Sequence, residues 1–135
     1  MKKLLSTKYS AGAFSTAMLV LRLGMGILML MHGYGKLTNF SATVPNMPII
    51  FGISKTVATV LIIFAEFFCS LFLILGLLTR LATIPLIIAT CVMIFKIHNG
   101  KIFGDGEHAA LFLIGYIVLL LVGPGKASVD SMMGK

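Results

Sequence analysis

The chain has 135 residues, 59% of them apolar and 11% charged, with a formal net charge of +7. Soluble domains draw about a quarter of their residues from Asp, Glu, Lys and Arg, so this chain cannot cover a water-facing surface. Its basic residues mostly sit at the ends of apolar runs rather than in patches interleaved with aromatics. That pattern speaks for membrane anchoring and against nucleic acid as a partner.

Residues 1–14, MKKLLSTKYSAGAF, form a basic N-terminal tail. Arg22 interrupts the apolar run that follows, and no small-x-small cleavage site closes it, so an uncleaved first span over 15–37 is expected. Gly24, Gly26, Gly33 and Gly35 make that span glycine-rich, and small residues let membrane helices approach closely. Residues 38–55 carry Pro45 and Pro48 and read as a loop, with Met47–Ile53 apolar enough to lie in the interface or fold back over a bundle.

The second span is expected over 56–78, TVATVLIIFAEFFCSLFLILGLL, with one charge, Glu66, near its middle. A helix of that length covers about 34 Å, against a hydrocarbon core of roughly 30 Å. Thr79-Arg80 turns tightly into a third span over about 80–97, whose apolar run Leu81–Phe95 carries Pro85 in its first turn and a half, where a missing N–H costs least. A polar loop leads to a fourth span over 106–123, which stops at Gly123-Pro124-Gly125. Residues 126–135 read as a short polar tail.

The fold expected is therefore all-α, a polytopic four-helix membrane bundle occupying 15–125. An even number of spans puts both termini and the Thr79-Arg80 turn on one side, with Lys2, Lys3, Lys8, Arg80, Lys126 and Lys135. Lys36, Lys55, Lys96 and Lys101 fall opposite, beside Asp105 and Glu107, so the positive-inside rule places both termini in the cytoplasm.

Arg22 and Glu66 are the charges deepest in apolar sequence. Such groups normally face the bundle interior and pair. On the expected span ends their depths differ by roughly 7–8 Å, which a guanidinium spans. The pair reads either as a structural pin between helices or as a carboxyl that accepts protons or ligand under the arginine's influence. His32, His98 and His108 all fall on the extracytoplasmic side with Lys36 and Glu107. These five residues form a candidate ligand cluster for proton handling, a quinone headgroup, haem or metal, and the competing reading is solvated interfacial side chains. No i,i+4 histidine pair and no H-E-x-x-H is present, so no metal is assigned. Arg22, Gly26, Met29, Gly33 and Lys36 trace one helical face. Cys69 and Cys91 lack ligand or redox spacing and read as packing residues.

A mid-span arginine precedes H-G-Y-G-K-L (His32–Leu37), then E-F-F-C-S-L-F-L-I-L-G-L-L-T-R-L-A (Glu66–Ala82), G-E-H-A-A-L (Gly106–Leu111) and G-P-G-K-A-S-V-D (Gly123–Asp130). In this order the segments resemble the DoxX family of small bacterial four-helix membrane proteins, over about residues 16–131. Lys126 and Val129 stand where that family often has arginine and leucine. The resemblance implies a bundle in the bacterial inner membrane and family-like positions at Arg22, Gly33, Lys36, Glu66, Gly76, Arg80, Glu107, Gly123 and Asp130. It carries over no catalytic residue set. Some relatives are subunits of a thiosulfate:quinone oxidoreductase and others associate with redox-stress proteins. The function it implies is an accessory subunit of a quinone-linked or redox-stress oxidoreductase system, with quinone as the ligand. The lipid bilayer, a redox protein and further copies of the chain are the partners this leaves room for. Two alternatives stand beside it: a membrane scaffold without chemistry of its own, and a small-molecule carrier using Arg22 and Glu66. A soluble enzyme is excluded, since no nucleophile–base constellation or phosphate loop appears.

Overall fold

The computed structural model describes residues 4–134, so Lys2, Lys3 and Lys135, which weigh in the expected orientation, lie outside the described residues. All regular structure among the described residues is helical: α1 (Ala11–Thr38), α2 (Phe40–Asn46), α3 (Lys55–Leu75), α4 (Thr79–Ile97), α5 (Glu107–Val122) and α6 (Val129–Met132). α1, α3 and α4 are each long and apolar enough to cross a membrane. α5 is apolar but has 16 residues, about 24 Å at the usual rise, and packs mainly along α4.

The helices are built inside out relative to a soluble bundle. Small and hydroxylated residues, including Gly26, Gly33, Thr59, Ser70, Thr83 and Thr90, fill contacts between helices. Large apolar side chains such as Val20, Leu28, Met31, Leu111, Ile114 and Leu121 point outward. Lipid tails are as apolar as leucine, so nothing drives these outer chains inward, and close backbone packing holds the helices together. Three of the buried threonines return their hydroxyls to their own helices: Thr59 to the Lys55 carbonyl (2.8 Å), Thr83 to that of Arg80 (2.6 Å) and Thr90 to that of Leu86 (3.0 Å). A small core of Met18, Met29, Cys69, Leu73, Ala82, Leu86, Tyr116 and Leu119 lies between the four long helices.

Caps set the helix starts. Ser10 accepts from the Ala13 N–H at α1 and Ser54 from the Val57 N–H at α3. α3 ends at Gly76, where φ is +69° and the N–H groups of Gly76 and Leu77 close back on the carbonyls of Leu73 and Phe72. This is a left-handed helix stop that glycine adopts without strain. A Cβ there would also strike Ser128. Pro85 proves to be the seventh residue of α4, beyond the first turn and a half where it was expected, because the helix begins at Thr79. The segment after α2 folds back over the bundle, burying Met47 and Ile50 while Ile49 and Phe51 stay exposed.

The stretch after Gly125, expected as a polar tail, packs under the bundle instead, with Ser128 and Asp130 buried. Arg22 donates to the carbonyls of Pro124 and Ala127, both at 2.7 Å, and Arg80 donates to that of Val122 at 3.2 Å. The Asp130 carboxylate accepts from the N–H groups of Leu78 (2.7 Å) and Thr79 (2.9 Å), closing the α3–α4 turn. Apolar runs conceal this lock because its acceptors are backbone carbonyls and N–H groups.

α1 and α3 cross on glycine. A Cβ on Gly33 would lie 2.6 Å from the Phe67 nitrogen and 2.7 Å from the Glu66 carbonyl carbon. Around Gly24 and Gly35 the space is open. Gly33→Ala should destabilise the bundle by about 1–3 kcal/mol, the usual penalty for overpacking. Gly35→Ala should leave stability equal or raise it, since alanine is the better helix former. Thermal melts of both variants in one detergent check the contrast, and equal effects would refute the crossing.

Candidate functional site

The buried positions of α1 are Met18, Arg22, Gly26, Met29 and Gly33, a single stripe at helical spacing. Arg22 within the stripe and Lys36, about one turn beyond it, place a charge near each end of the bundle, and the two have different partners. Glu66, 1% exposed, meets Lys36 rather than Arg22. The Lys36 Nζ donates to both carboxylate oxygens, at 2.7 and 2.6 Å. Arg22 is committed to the Pro124 and Ala127 carbonyls, with Asp130 in electrostatic reach.

The expected Arg22–Glu66 pair is thereby corrected, and the reason is register. Gly33 faces Glu66 across the α1–α3 contact, while Arg22 is level with Gly76, just past the end of α3. Eleven residues of helix separate Gly33 from Arg22, about 16 Å at the usual rise. That is twice the expected gap, and Lys36, one turn beyond Gly33, is the cation within reach.

Glu66 lies in a π-helical segment of α3, Phe64–Cys69. Such segments insert a residue into the turn, rotate the face that follows, and occur frequently at functional sites. Here the segment turns Ala65, Glu66, Cys69 and Ser70 inward together. A second π-helical stretch, Met93–Ile97, ends α4 at the same end of the bundle.

Lys36 is the exposed member of its pair, with 30% of its side chain accessible. It forms one wall of a cavity of about 510 Å³ under the α2 cap, shared with Thr43, Asn46, Pro48, Ile62 and Met93. Pockets that hold small molecules fall at about 300–1,000 Å³. The cavity thus has apolar sides, a cationic donor in its wall, and a buried carboxylate directly behind that donor.

The other members of the expected cluster do not join Lys36. His32 is exposed and packs edge-on to Phe112, ring centroids 6.2 Å apart. His98 sits in the α4–α5 loop, its Cβ near Gly106, and Glu107 and His108 are exposed at the start of α5. Among the described residues no group of three His, Cys, Asp or Glu side chains is placed to hold a metal ion.

Two participants escaped the sequence reading. Asp130 appeared only as a family-like position, and its turn-capping role depends on a contact across 51–52 residues of chain. Tyr116 is fully buried in the apolar part of α5, its hydroxyl without a hydrogen-bond partner among the described residues and within electrostatic reach of Glu66 and Cys69. A lone tyrosine in so apolar a run carries no signal of its own.

Outward-facing large apolar residues, small residues at the helix contacts and a buried ion pair define a multi-pass helical membrane bundle. Comparison with known proteins agrees. The chain belongs to the DoxX family, whose model matches residues 17–99, a range that includes Arg22, Lys36 and Glu66. It is similar to inner membrane protein YqjF of Escherichia coli (strain K12), 29% identical over 123 residues, 87% of this chain and 92% of the relative. No solved structure matches it. The protein is a multi-pass protein of the bacterial inner membrane.

Proposed function

We propose that this protein is an accessory membrane subunit that holds a quinone headgroup beside the Lys36–Glu66 pair, serving a quinone-linked or redox-stress oxidoreductase. The observation that carries the reading is the partly exposed Lys36 in a cavity wall, backed by the buried Glu66. The cavity fits the chemistry of such a group. A quinone presents carbonyl acceptors on an apolar ring, and an ammonium has three donors, two of which Glu66 occupies here. The third is available to a ligand carbonyl. A carboxylate–ammonium pair also suits a ligand that gains and loses protons when reduced and oxidised. Both termini are cytoplasmic in this reading, which puts the cavity at the extracytoplasmic face, as the lysine distribution supports.

The scaffold reading is favoured by one separate observation. Lys36–Glu66 ties α1 to α3, and Arg22 ties α1 to the C-terminal segment, so both charge centres also join elements. The carrier reading loses its footing, because Arg22 and Glu66 stand apart and each is engaged.

The test is quinone content of the protein isolated in native lipid, against an unrelated four-span protein from the same membranes. Enrichment that disappears in Lys36→Met is expected. Quinone at background level in the native protein would overturn the proposal and leave the scaffold.

A further inference from the structure

A second recess lies outside the Lys36 cavity, on the face where α3 and α4 run side by side. Its volume is about 320 Å³, and no charged residue lines it. It exists because Ala58 and Ala65 of α3 and Ala89 of α4, too short to fill the space, form its floor. Leu61, Phe64 and Ile88 rise on either side, and Phe51 and Ile53 of the folded-back loop close one end. The groove opens on the membrane side, where Leu61, Phe64 and Ile88 are about half exposed.

Both helices that wall the groove carry a lysine at that closed end. Lys55 begins α3, one turn before Ala58, and Lys96 lies in the π-helical end of α4, about one turn past Val92. The Lys96 ammonium stands 5.0 Å from the centroid of the Phe51 ring, over the loop that closes the groove, and Lys55 donates to the Pro45 carbonyl at 3.1 Å. Neither ammonium meets a carboxylate among the described residues, whereas Lys36 nearby is neutralised by Glu66.

An apolar slot open to the acyl region, ending under two cations at the headgroup level, has the charge and polarity order of an anionic phospholipid. We propose that the α3–α4 groove seats one acyl chain of a phospholipid whose phosphodiester lies between Lys55 and Lys96, and that the site prefers an anionic headgroup such as phosphatidylglycerol to a zwitterionic one. Phe51 positions the Lys96 cation through its ring face, and the floor alanines set the depth available to the chain. The site meets the Lys36 cavity only at Ile62, which lines both, and does not depend on what that cavity binds.

Native mass spectrometry of the full chain, released from nanodiscs of equal phosphatidylglycerol and phosphatidylethanolamine, reads the preference directly. A lysine near the headgroup plane contributes about 1 kcal/mol, about fivefold in occupancy, so Lys55→Gln and Lys96→Gln should each cut the preference by about that factor. The double variant should bind the two lipids equally. Lys126→Gln, at the opposite end of the bundle, should leave the preference unchanged. Ala89→Phe, which fills the floor, should lower retention of both lipids while Lys96→Gln lowers only the anionic one. The three lysines are exposed and Ala89 is buried in the groove floor, so far-UV circular dichroism checks that each variant stays helical. Equal retention of the two lipids by the native chain, a preference that survives the double substitution, or displacement of the bound lipid by a long-chain quinone would overturn the assignment.

Discussion

Lys36→Met is expected to destabilise the bundle more than Glu66→Gln, although both remove the same ion pair. Methionine leaves the Glu66 carboxylate 1% exposed with no counter-charge, a situation that costs about 3–5 kcal/mol. Glutamine leaves the ammonium behind, and Lys36, with 30% of its side chain accessible, can turn its head toward water. The loss there is that of a hydrogen bond to a charged group, about 1.5–3 kcal/mol. The double variant Lys36→Met/Glu66→Leu should recover most of the loss, because replacing both members of a buried pair with apolar groups is often neutral or stabilising. Thermal unfolding of the three variants in one detergent gives the order. Equal single losses, or a double variant worse than either single one, would show that the pair is not the contact that holds Glu66.

Arg22→Met is expected to free the C-terminal segment. It removes two 2.7 Å hydrogen bonds to the Pro124 and Ala127 carbonyls and takes away the cation near Asp130. A buried network that loses a charged donor destabilises by about 3–5 kcal/mol. Arg22→Lys should recover only part of this, since one ammonium cannot reproduce the planar fork that reaches two carbonyls at once. Limited proteolysis reports the effect locally: residues 126–134 should be cleaved in Arg22→Met and protected in the native chain. Protection unchanged in the variant would mean that Asp130 and Ser128 hold the segment without the arginine.

The helical membrane architecture was legible in the sequence because lipid imposes few solutions. Long apolar runs with so few charges must satisfy their backbone internally, and helices do so. The face containing Arg22, Gly26, Met29, Gly33 and Lys36 was legible for the same reason, since helical spacing is fixed by geometry. Partner choice across helices was not. It depends on register, and a few residues of error at the ends of α1 and α3 were enough to pair Glu66 with the wrong cation. The glycines show the same limit. Four look alike in the first span, yet only Gly26 and Gly33 meet α3, because helix rotation selects which side carries the contact. The C-terminal lock was the least legible part, being made by side chains that serve main-chain groups far along the chain.

The Arg22 bonds have a consequence for biosynthesis. Their acceptors lie 102 and 105 residues downstream of the donor. At about 5–20 residues per second, roughly 5–20 s of translation separate the guanidinium from its carbonyls. Through that interval the first helix occupies the membrane with its arginine provisionally served by water, lipid phosphate or the insertion machinery. The newborn protein therefore passes through a stage in which every long helix has been made and the bundle is still unlatched. Only the segment that follows the last long helix closes it.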